Sequence, residues 1–376
     1  MSLYSNLFNK KRIVSLLLGM VTMYAYHVSA AMTCKYDSGF ATINASIALQ
    51  ARNMTVGPDL PNGTVLYSQR FEPSSLPHII CTPSQTGYRI YNRLAYTATP
   101  LPLSDWSGSP YAGKIYKTGV SGIGIVATIQ GMPLPYSFTS SSANANIGHK
   151  HLSVFRDVNI AFVKIGSVSP GVINGGELPS IKIDFTTEGS DNDAAINIRL
   201  ASLSFSGVIN IVAHTCQTPD VNVPMGTLDI NKTFKGVGTA SQWQDTSIHL
   251  TNCPRFYGVK GSGTYSDNGT VNNTMPLNQI GMTLTPNTSI IDGAKGIMGL
   301  KTGAGAASGV GIQLAYGQVS DASPTMVNFA SPKTFSLGNN VSTNKVLPLV
   351  ARYIQTEDVV KPGRADATAT FTINYY

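Results

Sequence analysis

Apolar positions recur along this chain with a period of two. In the segment Ala365 to Tyr376, Ala367, Ala369, Phe371, Ile373 and Tyr375 fall on one side and Thr368, Thr370, Thr372 and Asn374 on the other. Alternate side chains of a strand point to opposite faces, so the segment is predicted as a β-strand with one buried face. The same alternation marks Ile123, Ile125, Ala127 and Ile129, then Ile181, Ile183 and Phe185, then Ile196, Ile198 and Leu200. No segment sustains a 3.6-residue apolar repeat, so helices should be few and short. The 36 glycines and 21 prolines punctuate the runs as turns, for example at Asn62-Gly63, Asn174-Gly175-Gly176 and Pro362-Gly363. Many short strands between turn signals predict an all-β chain of sandwiches or barrels.

A length of 376 residues suggests two domains. Residues 1–30 read as a secretory signal peptide rather than as fold. Lys10, Lys11 and Arg12 precede an apolar stretch from Ile13 to about Tyr26, and Val28-Ser29-Ala30-Ala31 supplies small residues for cleavage. That apolar run is too short for a membrane anchor. A boundary is expected just before Cys216, between the alternating stretch Leu203 to Ile211 and the loop Gln217-Thr218-Pro219-Asp220. The expected units are residues 31–213 and 214–376, each large enough for its own core.

The formal net charge of +7 falls to +4 without residues 1–30, which carry three positive charges and no negative one. The remaining excess is scattered, with no Lys/Arg run to follow a phosphate backbone, so nucleic acid is not an expected partner. Cys34, Cys81, Cys216 and Cys253 are expected to be oxidised in an exported protein. Three connectivities are open to them, and pairing 34 with 81 and 216 with 253 puts one bridge in each expected domain. No Cys-x-x-Cys occurs, which removes a zinc knuckle or thioredoxin-type site. Neither Gly-x-Ser-x-Gly, a phosphate-cradling loop nor His-Glu-x-x-His is present, and no spacing ties Glu177, Asp184 and Glu188 into an acid–base pair. The chain does not read as an enzyme.

From Cys216 onward the sequence resembles the pilin subunits of chaperone–usher fimbriae. The resemblance rests on Val223-Pro224-Met225-Gly226, Phe234 to Gly238, Ser247 to Cys253, Ala307 to Leu314, Ala351 to Thr356 and the alternating end. It implies an immunoglobulin-like sandwich that lacks one strand and leaves an apolar groove. A periplasmic chaperone would fill that groove first, and an adjacent subunit's donor strand would replace it after passage through the outer-membrane usher. Phe371, Ile373 and Tyr375 would line the groove, and the carboxylate of Tyr376 would be gripped by the chaperone. Shaft pilins carry a donor strand ahead of their first pilin cysteine, whereas a whole domain is expected there in this chain. The resemblance therefore implies a two-domain tip adhesin at the fimbrial tip, secreted through the periplasm to the bacterial surface. Its first domain would be lectin-like and would bind a host glycan or glycoprotein.

The first domain carries a weaker resemblance to such adhesins, in Cys34, Asp59 to Ser68, Cys81 and Lys117 to Ile125. A sugar site needs polar groups for the hydroxyls and an aromatic face for the C–H surface of the ring. The loop Leu103 to Tyr111 holds both, in Asp105, Trp106 and Tyr111, although Trp106 reads equally as a core plug and Asp105 as a turn cap. The polar loop Ser140 to Asn146, with Asn144 and Asn146, and the run Ser190 to Asp193 are further candidates that also read as solvated turns. His149-Lys150-His151 could present two imidazoles from one strand face, and His78 would complete a three-nitrogen zinc site with an open position. The alternative is a solvated histidine pair. Two other functions thus stand beside the glycan-binding adhesin: a tip or adaptor subunit without lectin activity, and a zinc-dependent adhesin.

Overall fold

The computed structural model describes residues 33–82, 88–143, 149–152, 158–189, 195–269, 271–338 and 343–376. The predicted signal segment, Asn144, Asn146 and Ser190 to Asp193 lie outside them. Among the described residues helix is confined to one turn at Ile230–Thr233 and a 3-10 turn at Gly175–Glu177; everything else regular is strand. The chain is all-β, as the alternation predicts.

Two apolar cores form. The first is built from residues between Ile47 and Ile211, together with Val259. One wall is a five-stranded sheet ordered Tyr136–Ala143, Tyr88–Ala98, Ser180–Gly189, Asn197–Ser206 and Ile43–Ala48. The opposite wall centres on Val65–Glu72, Val158–Lys164 and Ile123–Ile129. Val65–Glu72 shows the period-two logic plainly: Gln69 and Phe71 are buried, while Ser68, Arg70 and Glu72 face outward at intermediate exposure. Ile123–Ile129 is buried at every position because both of its faces are covered. Ile123, Ile125, Ala127 and Ile129 join the first core. Val126 points the other way into a satellite cluster with Ile115, Ala161 and Val163.

The second core runs from Cys216 to Tyr375. One sheet places Leu349–Gln355 beside Val310–Tyr316, and the other places Gln279–Pro286 between Lys333–Ser336 and Ala369–Tyr375. Cys34 is bonded to Cys81 and Cys216 to Cys253, so each core carries one disulfide.

Sequence position does not track sheet membership throughout. The hairpin Gly261–Ser266 and Val271–Thr274 follows Cys253 in sequence yet extends the sheet of the first core. Gly261–Ser266 runs parallel to Val65–Glu72, from Gly261 opposite Tyr67 to Ser266 opposite Glu72. Val259, Tyr265 and Met275 pack with the first core. The buried Tyr67 donates from its hydroxyl to Asn273 Oδ1 at 3.0 Å, and burial pushes that phenol well above its ordinary pKa. Where the hairpin leaves the second core, backbone bonds stitch the two together. Thr55 N–H donates to Gly258 O at 3.2 Å, Tyr257 N–H donates to Thr55 Oγ1 at 2.9 Å, and buried Asn278 donates to Thr55 O at 2.8 Å. The pattern Gly261-Ser262-Gly263 has little apolar content, and its partner strand lies almost 200 residues upstream. Nothing local to it announces the pairing.

Gly263 marks the tightest point of this seam, since a Cβ there would sit 2.1 Å from the Tyr67 hydroxyl. Gly263→Val should therefore lower stability by about 1–3 kcal/mol through overpacking, read as a fall in the urea midpoint. An unchanged midpoint would mean that the hairpin is not seated against Tyr67 in solution.

Candidate functional site

A long concavity lies over the second core. It is a groove of about 650 Å³ between two walls, Asp220 to Gly226 on one side and Ala365 to Phe371 on the other. Its floor is apolar, with Ile248, Leu284, Met298, Ile312, Leu314 and Leu349 from both sheets. A second hollow of about 380 Å³ continues it past Phe234, Val310 and Val360, and the two share Gly226, Tyr353, Ala365 and Asp366.

Local sequence explains why the walls do not meet. Ala369–Tyr375 pairs along one edge with Gln279–Pro286, from Ala369 opposite Pro286 to Tyr375 opposite Ile280, and is the outer strand of that sheet. Its other edge faces the groove. The opposite wall has no strand: from Thr218 to Thr227 the chain takes no regular structure, and Asp220, Val221 and Asn222 are exposed. Both ends of this segment are nevertheless fixed. Gln217 bridges Thr251 beside the Cys216–Cys253 bond, and Asp229 caps the short helix Ile230–Thr233 by accepting from the N–H groups of Asn231 and Lys232. A strand edge with unused backbone groups above an open apolar floor is a surface that water serves poorly and that another strand fits.

The side chains expected to line this groove divide. Phe371 lines it; Ile373 packs against the second core outside the groove lining. Tyr375 is 6 % exposed and lies parallel to Phe256 at 6.3 Å between ring centroids. Its hydroxyl accepts from Cys216 N–H at 3.2 Å, and burial raises the phenol pKa. Its backbone N–H donates to Asp59 Oδ2 of the first unit at 2.8 Å. Tyr376 turns away and packs on the first core while its backbone exchanges two bonds with Gln279. Alternation finds the apolar face of this strand but not that its last two residues are spent on the junction. The wall Asp220 to Gly226 carries no alternation, and its sequence signal is only the polar, proline-containing stretch between a cysteine and a helix cap.

The candidate loop of the first unit is tightly organised. Trp106 and Tyr111 pack on the satellite cluster of Ile115, Val126, Ala161 and Val163. Trp106 Nε1 donates to Pro110 O at 2.9 Å within the same loop. Tyr111 sits at φ 65, in the left-handed region that a turn residue adopts. Asp105 is exposed. Both aromatic rings are partly buried, each with one side on that small core.

The backbone register relates the two histidine-bearing strands. His149–Leu152 pairs with His78–Cys81, and the register sets Leu152 opposite His78, His149 opposite Cys81 and His151 opposite Ile79. The His78 ring stacks on Phe40 at 4.2 Å. Among the described residues no group of three or more His, Cys, Asp or Glu side chains could hold a metal ion. The carboxylates are also dispersed: buried Asp184 is bonded by Arg199 Nε at 2.5 Å and approached by Lys182 at 3.4 Å, and Glu188 pairs with Arg93. Each has an ion-pair partner rather than a cleft.

Residues 203–376, which hold the groove and both of its walls, match the family model described as fimbrial protein. No curated relative matches the chain in sequence. Among solved structures, the CupB6 tip adhesin from Pseudomonas aeruginosa is similar at 15 % identity and a TM-score of 0.32, over 92 % of this chain and 94 % of that one. The P pilus rod subunit PapA is similar at 20 % identity and a TM-score of 0.30, over 43 % of this chain and all of that one. The CooA pilin subunit from enterotoxigenic Escherichia coli shows 12 % identity and a TM-score of 0.18, over 47 % and 98 %. By the family match, the groove-bearing part of the chain, residues 203–376, is a fimbrial-protein domain.

Proposed function

We propose that the chain is a chaperone–usher fimbrial tip adhesin, held in the fimbria by a strand that a neighbouring subunit inserts into the groove. The observation that carries this reading is the open apolar floor between Asp220 to Gly226 and the free edge of Ala369–Tyr375. An inserted strand would use the unpaired backbone of that edge and place alternate apolar side chains over Ile248, Leu284 and Leu314, which is strand addition to an incomplete sandwich. Before assembly the same surface calls for a periplasmic chaperone, because an exposed apolar groove beside an open strand edge promotes aggregation. The first unit, with its own core and disulfide, is the receptor-binding part in this reading, with a host glycan or glycoprotein as the receptor. Function on the bacterial surface at the tip of the fibre follows from these roles, and no catalytic step is required.

Secreted without a chaperone, residues 31–376 should aggregate or be degraded. Co-expression with a cognate chaperone, or fusion of a donor strand after Tyr376, should give a soluble monomer by size-exclusion chromatography. A stable monomer that needs neither would overturn the open-groove reading.

Phe371→Asp places a carboxylate on the groove wall and should abolish co-purification with the chaperone. The junction side of the same strand, at Tyr375, should stay intact. Undiminished capture of the Phe371→Asp chain would show that the partner docks elsewhere.

A further inference from the structure

Lys164 is 4 % exposed at the end of Val158–Lys164, and its ammonium donates to Asn62 Oδ1 at 3.0 Å. A lysine is rarely buried unless an anion is paired with it, and the acceptor here is a neutral amide. We propose that Lys164 Nζ and Asn62 Cγ become joined by a covalent amide, a cross-link that the folded chain forms by itself. The proposal does not rest on the adhesin reading, because it concerns the joint and no ligand.

Placement is the first argument. Pro61 to Thr64 form a turn closed by Thr64 N–H and Thr64 Oγ1, which both donate to Pro61 O, at 3.2 and 2.7 Å. Gly63 takes φ 90 at the third position of the turn, where a positive φ favours glycine. A Cβ on Gly63 would lie 2.2 Å from Ser109 O, so the loop around Ser109 backs the turn closely. The backbone of Lys164 fastens to it on both sides. Gly63 N–H donates to Lys164 O at 2.7 Å, and Lys164 N–H donates to Thr64 O at 2.9 Å. Asn62 and Lys164 are thus kept as neighbours by main chain. An amine at hydrogen-bond distance from an amide stands in the range from which attack begins.

Reactivity is the second argument. Desolvation lowers the Lys164 pKa, which brings the nucleophilic neutral amine within easier reach. The usual rearrangement of an Asn-Gly pair is attack by the glycine nitrogen on the asparagine side chain. Here Gly63 N–H is engaged by Lys164 O, which leaves the lysine amine as the nucleophile at hand. The Asp59 carboxylate acts electrostatically on Lys164, and its Oδ2 is fixed by Tyr375 N–H at 2.8 Å. In the reaction the Lys164 ammonium gives a proton to Asp59, and neutral Nζ attacks Asn62 Cγ. As the new C–N bond forms, a second Nζ proton passes to Asn62 Nδ2. The Cγ–Nδ2 bond then breaks, its electron pair leaves on ammonia, and Asp59 returns its proton to give ammonium. Nothing is oxidised or reduced. Asn62 is exposed, so the ammonium departs into solvent. A neutral amide replaces a buried charge, which removes a desolvation penalty.

The location gives the bond its consequence. Val65–Glu72 and Val158–Lys164 pair in a ladder whose register shifts between Phe162 and Val163, next to Lys164. Val65–Glu72 is also the strand that receives Gly261–Ser266. A covalent bond between Asn62 and Lys164 would lock the irregular end of that ladder beside the seam.

The test is the intact mass of the full mature chain carrying a fused donor strand. A mass one ammonia below the sequence is expected, after allowance for the two disulfides. Proteolysis should release a branched peptide joining the segments around Asn62 and Lys164, absent from Asn62→Ala and Lys164→Met. Asp59→Asn keeps an acceptor for Tyr375 N–H but loses the base. Its cross-linked fraction, followed by mass after induction, should rise at least about tenfold more slowly. A full mass with both linear peptides present overturns the proposal. So does loss of ammonia without a branched peptide, or conversion of Asn62 to aspartate. Should a variant fail to fold, the mass and peptide map of the parent still decide.

Discussion

The parallel pairing of Gly261–Ser266 with Val65–Glu72 is the constraint on which the arrangement of this protein depends. A connecting segment alone would leave two sandwiches free to rotate about it. Here six residue pairs, the Tyr67–Asn273 hydrogen bond and the packing of Val259, Tyr265 and Met275 join a hairpin from one unit to the sheet of the other. Each backbone hydrogen bond contributes only about 0.5–1.5 kcal/mol net. Their sum acts cooperatively, because the hairpin cannot leave without exposing the edge of Val65–Glu72 and unburying Tyr67.

The same junction reaches the groove. Tyr375 belongs to the strand that forms one groove wall, its ring lies beneath Cys216 at the root of the other wall, and its N–H is held by Asp59. Gly57 allows this approach, since a Cβ there would lie 2.2 Å from Tyr375 O. The strand edge available for assembly and the loop of the first unit around Asp59 are therefore parts of one packed joint. Lys164, buried near this loop and bonded to Asn62 Oδ1 at 3.0 Å, has its pKa lowered by desolvation, which the nearby Asp59 carboxylate partly opposes.

The groove has an apolar floor and strand-like walls, which suit a peptide bound through its backbone. Trp106, partly buried, packs on the four-residue satellite core that covers the outer face of Ile123–Ile129.

Secondary-structure class and apolar faces are legible in the order of residues alone. Alternation at Ile123 to Ile129, Ile181 to Phe185 and Ala369 to Tyr375 is a local property, imposed by the pleat on any strand with a buried face. The motifs between Cys216 and Thr356 likewise marked the fimbrial part, and the spacing of the cysteines admitted the pairing observed. Tertiary structure alone decided where strands went and what they enclosed. Gly261–Ser266 pairs across almost 200 residues with a strand its own composition does not specify. Tyr375 and Tyr376 read as groove residues but are drawn into a joint by Asp59, Cys216 and Gln279. Period and spacing are fixed by near neighbours in the chain, whereas a concavity is fixed by which distant segments fail to touch.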